Sequence, residues 1–183
     1  MHFRREANRT FGRMRRLFRA SFVMNTMTGE RRVPFHSVMH CETSGHNQQV
    51  YLEEGYALVG PYSSQAMFDL LSRDGRFFKV GSSFIVNLNE VAEVDLADGT
   101  LTLSTGVVLS VPVRVRKSLS ARLCDCDKRF QRAGRSLVVN LDNIQSSTED
   151  AVTFANGDVV TLPVRSRKAI LEGFNTWKAR ALP

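Results

Sequence analysis

Residues 76–91, RFFKVGSSFIVNLNEV, are repeated 53 positions later by residues 129–144, RFQRAGRSLVVNLDNI. Each copy holds two short apolar runs, 77–80 and 84–88 in the first, on either side of a small polar segment containing Gly. Runs of this length bounded by Gly and Ser read as antiparallel strands joined by a turn. Further along, residues 101–117, LTLSTGVVLSVPVRVRK, are echoed by 152–168, VTFANGDVVTLPVRSRK, after a two-residue contraction. Order, spacing and side-chain chemistry all agree, which marks an internal repeat. The second copy lacks a counterpart of residues 21–75, because only a short stretch separates Lys117 from Arg129. The chain therefore reads as a whole unit followed by a half unit.

Outward from these stretches, residues 33–41, 48–52, 101–103 and 107–113 are further short apolar runs with strand character. One helix interrupts them. Ser63, Ser64 or the adjacent Tyr62 caps a run whose apolar face is Met67, Leu70 and Leu71, and Gly75 supplies the stop. At the C-terminus Ile170, Leu171, Phe174 and Trp177 recur at helical spacing. Isolated hairpins are marginal in water, so the half unit is expected to pack on the first domain or on another chain. The expected fold is mainly β: an antiparallel domain with one short helix, plus a C-terminal half repeat and terminal helices. Its divisions are 1–20, 21–121 and 122–183.

With 183 residues and 43% hydrophobic content, the chain can bury one good core and a small appendage. It has no run of about 18 uncharged apolar residues and no apolar segment of the kind that precedes a signal cleavage site, so a cytoplasmic protein is expected. Cys41, Cys124 and Cys126 form no regular framework and read as free thiols. Cys124 and Cys126 have no second pair or nearby His to complete a zinc site, and no cofactor or metal is expected. His36, His40 and Cys41 fall in one expected strand, with the two histidines pointing the same way.

The formal charge of +7 is unevenly spread. Residues 1–20 hold seven arginines against Glu6, leaving 18 basic and 17 acidic residues for the rest. Long-range attraction to an anion thus comes from the N-terminal segment, and any nucleic-acid footprint elsewhere requires local clustering. In that segment Phe3, Ala7, Phe11, Met14 and Phe18 recur every three or four residues, which predicts a cationic amphipathic helix. It reads as a helix docked on its own domain or a translated leader, with Met14 and Met24 as alternative starts; contact with DNA, a membrane surface or a partner helix is the alternative.

Four pieces stand in a recognisable order: VPFHSVMHCETSGH (33–46), the helix around 65–71, RFFKVGSSFIVNLNEV (76–91) and SVPVRVRKSL (110–119). Together they resemble the LytTR family of bacterial DNA-binding domains, usually the output end of response regulators, and residues 129–170 resemble the family's latter half again. The resemblance implies an almost all-β fold whose loops, rather than a recognition helix, enter successive major grooves of duplex DNA. It also implies contact positions. His46 matches a loop His that touches DNA. The middle of the family's His-Arg-Ser tripeptide falls on Ser82 in the first copy and on Arg135 in the second, while its His is replaced by Gly81 and Gly134.

The basic closing segment supplies Arg114, Arg116 and Lys117, repeated as Arg165, Arg167 and Lys168. In a strand-like segment Arg114 and Arg116 would share a face and track a phosphate backbone. The candidate DNA-contacting set is His46, Lys79, Ser82, Arg114, Arg116, Lys117, Arg135, Arg165, Arg167 and Lys168. Asn87 and Asn140 also recur, but an Asn at a strand end reads as fixing the turn. The expected partner is double-stranded DNA, with a homodimer or a partner regulator as further partners. The alternatives are an interaction module derived from such a domain, which modulates another regulator, and a peripheral membrane protein using the N-terminal helix. No G-x-S-x-G, P-loop, dinucleotide fingerprint or metal-spaced His/Glu pair occurs, so the expectation is a non-enzyme.

Overall fold

The computed structural model describes residues 21–125 and 127–181, so the expected N-terminal helix over 1–20 and Cys126 lie outside the described residues. The chain divides into two compact units, the first ending at Asn87 and the second beginning at Leu88.

In the first unit β1 (Ser21–Thr26) and β2 (Gly29–Pro34) form a hairpin, and a 3-10 turn (Phe35–Ser37) leads into β3 (Val38–Ser44), β4 (Asn47–Leu52) and β5 (Gly55–Val59). Helix α1 (Ser64–Leu71) and the hairpin β6 (Phe77–Val80) and β7 (Phe84–Asn87) follow. The strands make one antiparallel sheet in the order β2-β1-β5-β4-β3-β7-β6. Strict alternation in β4 buries Gln48, Val50 and Leu52. Val50 and Leu52 join Phe22, Met24, Cys41, Phe77 and Ile85 in a core that Met67 and Leu71 of α1 cover. Ser63 caps α1, its Oγ accepting from Ala66 N at 3.0 Å. The helix ends at Ser72, whose N–H donates to Phe68 O, three residues before the Gly75 expected to stop it.

The second unit opens with a 3-10 turn (Leu88–Glu90) and continues through β8 (Val91–Asp95), β9 (Thr100–Leu103), β10 (Val108–Ser110), α2 (Val113–Cys124) and the hairpin β11 (Phe130–Ala133) and β12 (Leu137–Asn140). A third 3-10 turn (Leu141–Asn143) precedes β13 (Ile144–Ser147), β14 (Ala151–Phe154), β15 (Val159–Thr161) and α3 (Val164–Ala181). One sheet runs β10-β9-β8-β12-β11 and a smaller one β13-β14-β15. Ile170 and Phe174 of α3 pack with Leu137, Val139, Ile144 and Phe154 in the core beneath.

These topologies explain where the half repeat goes. Strand β12 pairs with β8 (Asp95↔Leu137, Val94↔Val138, Glu93↔Val139), just as β7 pairs with β3 (Glu42↔Phe84, Cys41↔Ile85, His40↔Val86). Every position is offset by the 53 residues of the sequence repeat. The second copy's hairpin thus completes a sheet begun by the latter part of the first copy. The order strand-strand-strand-helix-strand-strand occurs from β3 to β7 and again from β8 to β12, and starts a third time at β13.

Three local expectations are corrected. The run 33–41 is broken by the 3-10 turn at Phe35–Ser37, so His36 is exposed in that turn while His40 is buried in β3; the two do not share a strand. The run 107–113 is strand only over Val108–Ser110. Its basic continuation is helical, because Pro112 opens α2 and the buried Leu119 and Leu123 lie four apart, a helical rather than a strand spacing. Arg114 and Arg116 therefore do not share a face. Strands β1, β5 and β8 had no distinct sequence signal.

Candidate nucleic-acid interface

At one end of the first unit's sheet two turns lie side by side. The β3–β4 turn carries His46 and the β6–β7 turn carries Ser82, both exposed. Thr43 joins them: its N–H donates to Ser83 O at 2.8 Å and its hydroxyl to Ser82 O at 3.3 Å. Gly81 sits at φ +68°, a left-handed conformation that an L side chain resists, and this opens the tight turn that projects Ser82. Lys79, on β6 leading into the turn, is tethered to α1 by its ammonium donating to Gln65 Oε1 at 2.8 Å. The end of the sheet thus offers an imidazole, a hydroxyl and an ammonium on a rigid frame.

The second unit rebuilds this end with other side chains. Leu96 N donates to Ser136 O at 2.8 Å, which sets the β8–β9 turn beside the β11–β12 turn in the same way. Gly134, at φ +82°, projects the exposed Arg135. The β8–β9 turn is two residues shorter than the β3–β4 turn, since Asp95 faces Thr100 where Glu42 faces Gln49, and a Cβ on its Gly99, which sits at φ +73°, would lie 1.9 Å from Arg116 Nη2. Arg116 instead closes the turn, donating through Nη1 to Leu96 O (2.7 Å) and Ala97 O (2.9 Å) and through Nε to Val111 O (3.1 Å).

Residues 30–124 match the family model of the LytTr DNA-binding domain, just over half of the chain. The chain belongs to the LytTR family. A solved LytTr DNA-binding domain from Bacillus cereus is 25% identical, with a TM-score of 0.48, and the alignment covers 56% of this chain and 95% of that one. A search of curated proteins finds no match. The LytTR match runs from β2 to the last residue of α2, so residues 125–183, with β11 to β15 and α3, lie beyond it.

The sequence-derived positions separate into exposed and engaged groups within this LytTR chain. His46, Ser82, Arg114, Lys117, Arg135, Arg165 and Lys168 are exposed. Lys168 faces Glu172 at 3.9 Å one helical turn on, with both side chains largely in solvent. Arg116 and Arg167 are half-buried and serve the backbone; Arg167 Nε donates to Leu162 O at 3.0 Å as Arg116 Nε does to Val111 O. Arg132 was not singled out from the sequence. It is exposed on β11 at the repeat position of Lys79 and likewise reaches a helix, donating to Ser120 Oγ. The alignment of RFFKVG with RFQRAG carries that signal.

Beneath the turns the frame is repeated too. Arg76 pairs with Asp74 and Arg129 with Asp127, and the Arg129 hydrogen bond holds the Asp127 carboxyl below its ordinary value. Cys41 is fully buried and its thiol is pushed up to about 12, which makes it a core residue rather than a reactive one. Cys124 is half-buried at the end of α2. Among the described residues no helix is long and apolar enough to cross a membrane.

Proposed function

We propose that this LytTR chain is a sequence-specific duplex-DNA-binding transcription regulator. The observation that carries the reading is the juxtaposition, through Thr43, of the His46 and Ser82 turns at one rigid end of a sheet. Side chains held on short, hydrogen-bonded turns keep their geometry on binding, which direct readout of base edges needs. Arg114, exposed in the first turn of α2, and Lys117 act as phosphate contacts that position the protein without reading sequence. Arg116 and Arg167 act indirectly, by fixing backbone carbonyls next to the turns.

Selection from random duplexes, followed by titration of the recovered sequence at two salt concentrations, tests the reading. An enriched motif with affinity that falls steeply with salt is the expected result. Recovery of no motif would overturn it in favour of an interaction module.

A further inference from the structure

Within the second unit a groove of about 550 Å³ lies between the start of β11, the 3-10 turn at Leu141 and one face of α3. The buried Phe130 and Leu141 and the half-buried Trp177 supply its apolar surface. Trp177 is held in place, its indole N–H donating to Asp142 Oδ1, while Asp142 Oδ2 faces Arg129 Nη1 at 3.7 Å. Exposed Lys128 and Glu172 bring a cation and an anion to the same groove. Gln131 is its unusual member. A Cβ on Gly173 would lie 2.4 Å from both Oε1 and Nε2 of Gln131, so the amide fills the space a side chain on α3 would take. Glycine weakens a helix interior, and here it is what admits the amide. Gln131 Oε1 is buried and has no hydrogen-bond partner among the described residues. An unmade bond at a buried acceptor is costly, and such atoms are normally satisfied.

We propose that this groove is a binding site for a small aromatic acid that also carries an N–H or O–H donor. The ring lies against Phe130, Leu141 and Trp177, the acid group pairs with the Lys128 ammonium, and the donor satisfies Gln131 Oε1. The last torsion of a glutamine side chain is soft, so a small turn of the amide brings its oxygen to the groove. Small-molecule sites have this size and this make-up, apolar walls with a few polar groups that fix orientation. The internal repeat separates scaffold from site. Phe130 and Leu141 repeat Phe77 and Leu88, whereas Lys128 and Gln131 stand where the first copy has Gly75 and Phe78. The polar groups are thus particular to the second copy, added to an apolar frame that both copies share. None of the groove residues belongs to the candidate DNA-contacting set.

Trp177 is the single tryptophan of the chain, so its indole N–H gives one side-chain peak in a nitrogen–proton correlation NMR spectrum and reports on the groove directly. The probe is para-hydroxybenzoate, titrated into the full chain at constant pH and ionic strength. The indole peak should move saturably, with half-saturation at about 1 mM or below. Benzoate, which lacks the hydroxyl donor, should bind about fivefold more weakly. Gln131→Phe, which places the first copy's residue in the groove, should weaken para-hydroxybenzoate about fivefold. Lys128→Gln should weaken it about threefold, the effect of losing one exposed charge pair. A well-dispersed spectrum of each variant shows that the fold is intact. An indole peak that stays in place, or moves without saturating, up to about 10 mM probe overturns the site. Parent-like half-saturation in either variant, or benzoate binding as tightly as para-hydroxybenzoate, overturns it as well.

Discussion

Asn140 donates its side-chain amide to the backbone carbonyl of Val91 at 2.8 Å, across 49 residues of chain. Asn87 makes the same bond to Val38 O at the same distance and the same separation. In each case an Asn at the end of one strand is fastened to the first residue of the neighbouring strand. The sequence reading of an Asn here as a turn-fixer holds for Asn140, whose Oδ1 also accepts from Asp142 N at 3.1 Å.

Replacing Asn140, which is fully buried, should be costly. Asn140→Ala removes a bond to a carbonyl and leaves a cavity, and it should destabilise the protein by about 1–3 kcal/mol. Val91 O retains the donor from Asn143 at 3.0 Å, which favours the lower part of that range. Urea titration of parent and variant measures the difference; an unchanged midpoint would show that the bond is dispensable.

Arg114 and Arg116 should part company on mutation despite their proximity in sequence. Arg116→Ala leaves the carbonyls of Leu96, Ala97 and Val111 without their donor and should lower stability by about 1–3 kcal/mol. Arg114→Ala removes an exposed cation, so its melting temperature should stay at the parent value while affinity for all duplexes falls evenly. Thermal melts paired with DNA titrations separate the two. Equal melting temperatures in both variants would refute the positioning role of Arg116.

His40 makes stability depend on pH. Its ring stacks on Tyr51 at 4.2 Å between centroids, and burial lowers its pKa from 6.5 to about 4. Above pH 6.5 both folded and unfolded states hold a neutral ring and the contribution is complete. As pH falls from 6.5 towards 4 the unfolded chain takes up a proton that the native state refuses, so stability is lost by up to about 3 kcal/mol. His40→Phe keeps an aromatic ring and should flatten this part of the profile. Denaturation of both proteins between pH 7 and 4 provides the comparison, and parallel profiles would rule the assignment out.

Ser82 offers a gain-of-function test of the first unit. Ser82→Arg puts into the β6–β7 turn the side chain that Arg135 supplies in the β11–β12 turn. If this turn faces a groove, specific affinity should rise by about 1–3 kcal/mol with a new preference at one base pair. Unchanged affinity and preference would place the turn away from base edges.

Much of the architecture was legible because hairpins are local. Glycine at 81 and 134 between short apolar runs dictates a tight turn and antiparallel strands, whatever else surrounds them. Ser63 ahead of Met67 and Leu71 likewise announces a capped helix. The repeat, the mainly β class and the family also lay in linear order. The closing basic segment was misread because alternating Val and Arg imitates a strand over residues 113–116, and only the apolar spacing further on, at Leu119 and Leu123, makes it a helix.

Long-range pairing is a different matter, since no local signal says which strand edge a hairpin will occupy. That β12 lies on β8, that the Arg116 guanidinium lies over Gly99, and that Gly134 meets Pro163 are decided by which surfaces can be buried together once the chain is compact. The sequence by itself determined the repeated elements and the cationic residues they carry. Tertiary structure alone decided that Arg116 and Arg167 are spent on backbone carbonyls while Arg114, Arg135 and Arg165 remain in solvent, because a half-buried guanidinium must satisfy its donors within the fold and an exposed one is free to satisfy them on a ligand.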